Sequence, residues 1–144
     1  MKDNTMTNAN VTKKVNAPAD TVWAALSDFA AIKVGGPIAS VTCEGKGVGM
    51  VRTLGMNGGK VIERLDVHDA TTHTFAYSII NDDSPLPFTG YSATVKILDN
   101  GDATSTVNWT GTFNARGVPE TDAIKLATGI YAGAIKGAQI ALEK

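Results

Sequence analysis

The chain is short of the features that mark several classes of protein. One cysteine, Cys43, excludes a disulfide framework and a cysteine-based metal centre, and it reads as a small buried hydrophobe. A net charge of −1 with mixed signs leaves no electrostatic footprint for nucleic acid. Residues 1–10 are polar and lack the apolar segment of a secretory signal, and no apolar run is long enough to span a bilayer. The glycines at 55, 58 and 59 join two strand-like stretches, not a strand and a helix, so they form no phosphate-binding loop. His68 and His73 fall on opposite faces by parity, at a turn or rim, without a third ligand nearby. These absences describe a soluble, cytoplasmic protein with no metal and no cofactor. At 144 residues it makes one domain, assigned to 10–144 behind a disordered tail at 1–9.

What is present is organised around the last stretch, 119–143. Pro119 sets a first turn, and Glu120 and Asp122 suit the positive end of a helix. At about 100° per residue, Ile124, Ala127, Tyr131, Ala134, Ile135, Ala138 and Leu142 share one apolar face. Leu126, Ile130 and Ile140 lie opposite, interleaved with Gly129, Gly133 and Gly137. A helix apolar over most of its circumference is expected to be enclosed, with the glycines admitting closely packed backbone. Lys125 and Lys136 argue for soluble packing, not a membrane dimer motif.

Upstream, 11–16 is a strand candidate, and Pro18 and Asp20 open a helix whose buried stripe is Val22, Trp23, Leu26 and Phe29. From residue 38 the period becomes alternating, with strands near 39–44, 49–56, 60–68, 73–80, 89–98 and 104–113. Short turns make these antiparallel.

Two strands carry a charge inside an apolar row. Arg52 interrupts Met50, Leu54 and Met56, and Glu63 interrupts Val61, Leu65 and Val67. Asn57-Gly58 favours a two-residue type I′ hairpin, and that register sets Arg52 opposite Glu63, with Arg64, Lys60 and Asp66 on the other face. Further on, Phe75, Tyr77 and Ile79 share a face. A three-residue loop at 99–101 would set Tyr91 opposite Trp109. The apolar loop containing Leu86 and Phe88 suits the rim of a cavity.

An ordinary buried salt bridge is the plain reading of Arg52 and Glu63. Burying two ions costs several kcal/mol each, on the order of what their attraction returns, so a polar centre in a cavity is the sharper reading. Tyr77 and Tyr91 add hydroxyls, though singly each also fits a plain core.

The stretches 17–23, 63–66, 77–80 and 109–113 resemble the START-like (SRPBCC) superfamily, with the polyketide cyclase/dehydrase group the nearest match. The chain is similar to plant lachrymatory-factor synthases and, more distantly, to abscisic-acid receptors. The resemblance implies an α+β helix-grip fold: a seven-stranded curved antiparallel sheet wrapped around a long C-terminal helix, with an apolar cavity between them. It also implies that Arg52, Glu63 and Tyr91 match the synthases' arginine, glutamate and tyrosine. The receptors' gate and latch sequences are absent.

Three functions follow as expectations. In the first, a lyase, cyclase or isomerase, Glu63 transfers a proton, Arg52 stabilises developing negative charge and Tyr91 orients the substrate. The second is a non-catalytic carrier of a hydrophobic ligand or lipid, and the third an accessory protein to a partner enzyme. Met50, Leu54, Met56, Phe75, Tyr77, Ile79, Leu86, Phe88, Trp109, Tyr131, Ala134 and Ala138 are expected to line the ligand cavity. The partners are a small hydrophobic ligand and, as a further candidate, a second copy of the chain; nucleic acid and integral membrane contact are not expected.

Overall fold

A computed structural model describes residues 6–32 and 34–143. The elements run β1 (Thr7–Val15), α1 (Ala19–Leu26), β2 (Ile38–Glu44), β3 (Val51–Met56), β4 (Gly59–Asp69), β5 (Thr74–Ile79), β6 (Phe88–Asp99), β7 (Ser105–Ala115) and α2 (Glu120–Leu142). The strands form one antiparallel sheet in the order β1-β7-β6-β5-β4-β3-β2. This is the α+β helix-grip architecture that the resemblance implied. β1 begins inside the stretch expected as a tail, because Thr7, Asn8 and Ala9 pair with Phe113, Thr112 and Gly111.

Both helices begin on proline in extended conformation, with acidic residues in the first turn and no side-chain cap. Proline has no amide proton to leave unsatisfied there, and a carboxylate meets the positive end of the helix. α2 rests on β1 and β7, where Ala123, Ala127, Tyr131, Ile135 and Ala138 are buried. Its opposite face is open: Leu126, Ile130 and Ile140 are 41%, 42% and 66% exposed, and a β-carbon on Gly129, Gly133 or Gly137 would meet nothing within 4 Å. The expectation that the chain encloses this helix is therefore corrected. Seven strands supply one concave surface, and the helix lies against its β1–β7 side.

Three registers matter for the site. The β3–β4 hairpin pairs Met56 with Gly59, Leu54 with Val61 and Arg52 with Glu63, as its Asn-Gly turn demands. In β4 a bulge at Asp66 breaks the alternation, since Leu65 pairs with Tyr77 but Val67 with Ala76. Val67, expected in the apolar row, is thereby turned outward and 43% exposed. The β6–β7 loop is longer than expected: Asp99 pairs with Ser105, so Val95, not Tyr91, faces Trp109. Asp99 Oδ1 accepts from the Gly101 amide and Asp102 Oδ1 from the Thr104 amide. These side-chain turns stabilise the extra residues. Parity survives the shift, so the inward row is unchanged.

The main core joins α1, α2 and the inward rows of β5, β6, β7 and β1. Leu54 and Val61 are buried but lie outside it. Arg52 and Glu63 sit in the same rows, at the margin between the two apolar regions.

A buried ion pair beside three tyrosines: the candidate site

Hairpin geometry brings Arg52 Nε within 2.6 Å of Glu63 Oε1. The two side chains are 12% and 8% exposed, so the pair is largely desolvated. Arg52 makes three further contacts, two with Phe29 and one with the Tyr77 ring, whose centre lies 5.5 Å from the guanidinium. Its Nη1 donates to the Phe29 carbonyl at 3.0 Å, and its guanidinium lies 3.9 Å from the centre of the Phe29 ring. Such contacts offset part of what burying the cation costs. Phe29 belongs to the stripe that begins in α1, but it stands on the loop beyond that helix, where it covers the ion pair.

Next to the pair, the chain's three tyrosines converge. Tyr91 Oη lies 2.5 Å from Tyr131 Oη and 3.5 Å from Tyr77 Oη. β5, β6 and α2 each supply one of them. The negative charge of Glu63 reaches Tyr77 and Tyr131. Burial pushes Tyr77 and Tyr91 well above the ordinary phenol value. Tyr131 is pushed up to about 12, chiefly by burial, with the Tyr91 hydrogen bond opposing the rise. All three are therefore neutral donors at physiological pH. Three hydroxyl protons share two hydroxyl–hydroxyl contacts, so one proton is left over to donate elsewhere.

Trp109 stacks on Tyr131 with ring centres 5.4 Å apart and meets Phe75 and Tyr77 edge to face. Its indole Nε1 is buried with no hydrogen-bond partner among the described residues. Phe88 packs on Tyr91 at 5.2 Å. Met50, Met56, Ile79, Leu86 and Ala134 are half-buried, whereas Leu54 and Ala138 are buried. Rings thus fill much of the space expected to be open between sheet and α2. Two open cavities flank α1 instead. One, of about 360 Å³, is lined by Phe29, Met50, Leu65 and His68, with Ser27, Asp28 and Gly47 at its edge. Met50 and Leu65 are the neighbours of Arg52 and Glu63 in their rows. The other, of about 250 Å³, lies by Asp20, His73 and Asp99.

The residues that sequence reasoning missed are Gly111, Phe29 and the two histidines. A β-carbon on Gly111 would collide with the Tyr131 hydroxyl. His68 and His73, expected on opposite faces, both lie against Trp23, at 5.0 and 5.4 Å. The bulge at Asp66 and the left-handed backbone of His73 (φ 49°) undo the simple parity. His73 Nε2 is also 3.0 Å from Asp20 Oδ1. Cys43, expected to be buried, is exposed on the edge strand β2. No group of three metal-ligating side chains forms among the described residues.

Residues 6–143 match the family described as polyketide cyclase/dehydrase and lipid transport. The chain belongs to that family. Among solved structures it is similar to the protein XoxI from Bacillus cereus, with 30% identity, a TM-score of 0.83, and 96% and 97% of the two chains covered. An uncharacterised protein from Bacillus thuringiensis is 29% identical over 96% and 100% of the chains, with a TM-score of 0.82. Norcoclaurine synthase from Thalictrum flavum shares the fold at 17% identity, with a TM-score of 0.73 and 96% and 94% covered. No curated protein matches the chain. Family and fold are those of ligand-binding proteins. No described helix is long and apolar enough to cross a membrane.

Proposed function

We propose that this chain binds a small, largely apolar molecule carrying one polar group, on the concave face of the sheet where the cavity beside Phe29 and Met50 adjoins the Arg52–Glu63 pair, and transfers a proton on it. The observation that carries this is the Arg52–Glu63 pair, buried inside two apolar rows. Glu63 is the proton-transferring carboxylate, and Arg52 stabilises negative charge that develops on the ligand. Tyr91, held between Tyr77 and Tyr131, orients the polar group with the spare hydroxyl proton. The apolar body of the ligand rests on Leu54, Met56, Ile79, Leu86 and Trp109. Entry is from the cavity beside Phe29 and Met50, and it requires Phe29 to swing off Arg52.

A cyclisation, dehydration or isomerisation fits such a pair, because each needs one proton moved and one developing charge balanced. The carrier reading has its own support, since the family's description includes lipid transport. There Arg52 and Glu63 anchor a polar headgroup and nothing is transformed.

Ligand that co-purifies with the chain, extracted and identified by mass spectrometry, tests the proposal. Ligand should be recovered from the wild type and lost from the Arg52→Met/Glu63→Leu double variant. Recovery of a converted product supports catalysis, and return of an added ligand unchanged supports the carrier. Equal recovery from both proteins overturns the site.

A further inference from the structure

The loop 80–87, between β5 and β6, is a strap held at both ends. It contains Pro85 and Pro87, which carry no amide proton, so its carbonyls cannot all be met from within the loop. One residue meets four of them. Arg116, just past β7, donates from Nη1 to the Asp82 carbonyl at 2.7 Å. Its Nη2 donates to the carbonyls of Ser84 and Leu86, the latter at 2.7 Å, and its amide donates to the Pro87 carbonyl at 2.9 Å. A guanidinium suits this task because its donors form a rigid planar fork. At the other end of the strap, Asn81 accepts from the Ile62 amide and donates to the Lys60 carbonyl, both on β4.

The strap crosses one end of the proposed site. Pro85 lies on the β3–β4 turn, 3.6 Å from the position of a β-carbon on either Gly58 or Gly59. Ser84 is only 5% exposed, its Oγ accepts from the Leu86 amide, and Leu86 packs against the core. Along β3 the inward row runs Met50, Arg52, Leu54, Met56 towards that turn. The cavity beside Phe29 opens at Met50, and the strap stands at the opposite end, beyond Met56. From Arg52 to Met56 is about 13 Å of strand, at about 3.3 Å per residue.

We propose that Arg116 is a positioning residue that sets the length of ligand this site takes, by holding the strap so that Leu86 forms its end wall. The inference rests on the site proposed above. A ligand whose polar group meets Arg52 and Glu63 then has about 13 Å for its apolar body. That is room for about ten carbons of extended chain, since a C–C bond of about 1.5 Å advances a zigzag by about 1.3 Å. The class of ligand is a medium-length carbonyl or hydroxyl compound. A long-chain lipid would overrun Leu86. Arg116 touches no ligand itself and acts only through the four carbonyls it holds.

Two measurements on the full chain test it. Amide hydrogen exchange reads the strap without any ligand. Arg116→Met should speed exchange at the Leu86 amide at least about tenfold and leave β4 unchanged, with Arg116→Lys in between. Unchanged exchange shows that the strap stands without Arg116 and overturns the proposal. Binding of 2-alkanones of increasing chain length, followed by tryptophan fluorescence, reads the wall. The wild type should bind each longer ketone more tightly up to about ten carbons and then weaken at least about tenfold. Arg116→Met should move that limit to longer chains. The same limit in both proteins, or no limit in the wild type, overturns the proposal and leaves the site standing. Uniform weakening at every length marks Arg116 as structural only and overturns it too. Alkanones that bind the Arg52→Met/Glu63→Leu double variant equally well, or bind none of these proteins, overturn the site and the length limit together.

Discussion

Gly111 and Tyr131 share one space. The β7 residue carries no side chain, and the Tyr131 hydroxyl from α2 occupies the volume a β-carbon would take, 2.5 Å from the Tyr91 hydroxyl. This relationship fixes how α2 sits on the sheet at the level of the polar site. It makes Gly111 a residue required by a neighbour, since its own backbone conformation needs no glycine.

Gly111→Ala should accordingly destabilise the protein by about 1–3 kcal/mol, the usual range for overpacking a filled interior. Tyr131→Phe removes the colliding oxygen, so the double variant should recover part of that loss. Urea melts of the four proteins in a double-mutant cycle measure the coupling. Strict additivity would show that the two residues do not compete.

Arg52 and Glu63 respond to substitution as a pair. Glu63→Leu alone leaves a buried guanidinium without its carboxylate and should cost about 3–5 kcal/mol. Adding Arg52→Met removes the stranded charge and should return most of that, the remainder being the lost hydrogen bond to the Phe29 carbonyl, about 1 kcal/mol. Chemical denaturation reads both. If the double variant is as unstable as the single, the pair is a structural necessity.

Stability should fall at alkaline pH, and the sign follows from the tyrosines. Burial raises all three phenols above 10.0, Tyr131 to about 12. Below pH 10 folded and unfolded chains are equally protonated at these groups, so the contribution is fully present. Above it the unfolded chain releases protons that the folded chain retains, and stability drops through the window from 10 to 12. With three such groups the slope approaches about 4 kcal/mol per pH unit. Denaturant melts between pH 8 and pH 11.5 test this, together with phenolate absorbance of the native protein. Phenolate appearing with ordinary midpoints in the folded chain would contradict the buried triad.

Ala138 lies buried where α2 rests on the sheet. Ala138→Trp should destabilise by about 1–3 kcal/mol or more, since close packing leaves no room for an indole. Unchanged stability would restore the open cavity that small residues on this helix suggest.

By itself the sequence determined the element order, the inward rows and the Arg52–Glu63 contact. All of these rest on short-range rules: a period of two, a period of 3.6, and an Asn-Gly turn that permits one register. Local pattern also placed Tyr77, Tyr91 and Trp109 facing inward, and that survived a four-residue error in the β6–β7 register because parity was kept. Tertiary structure alone decided the rest. A single bulge at Asp66 turned Val67 outward and brought His68 to Trp23, and no alternation pattern reveals one extra residue. How closely the Tyr131 face of α2 approaches the sheet was settled by the Tyr131 hydroxyl finding room at Gly111, twenty residues away in sequence. That fit depends on two side chains meeting in space, so neither segment carries a local sign of it. The glycine face was left outside for the same reason: one sheet has one concave side, and the tyrosine face of α2 occupies it.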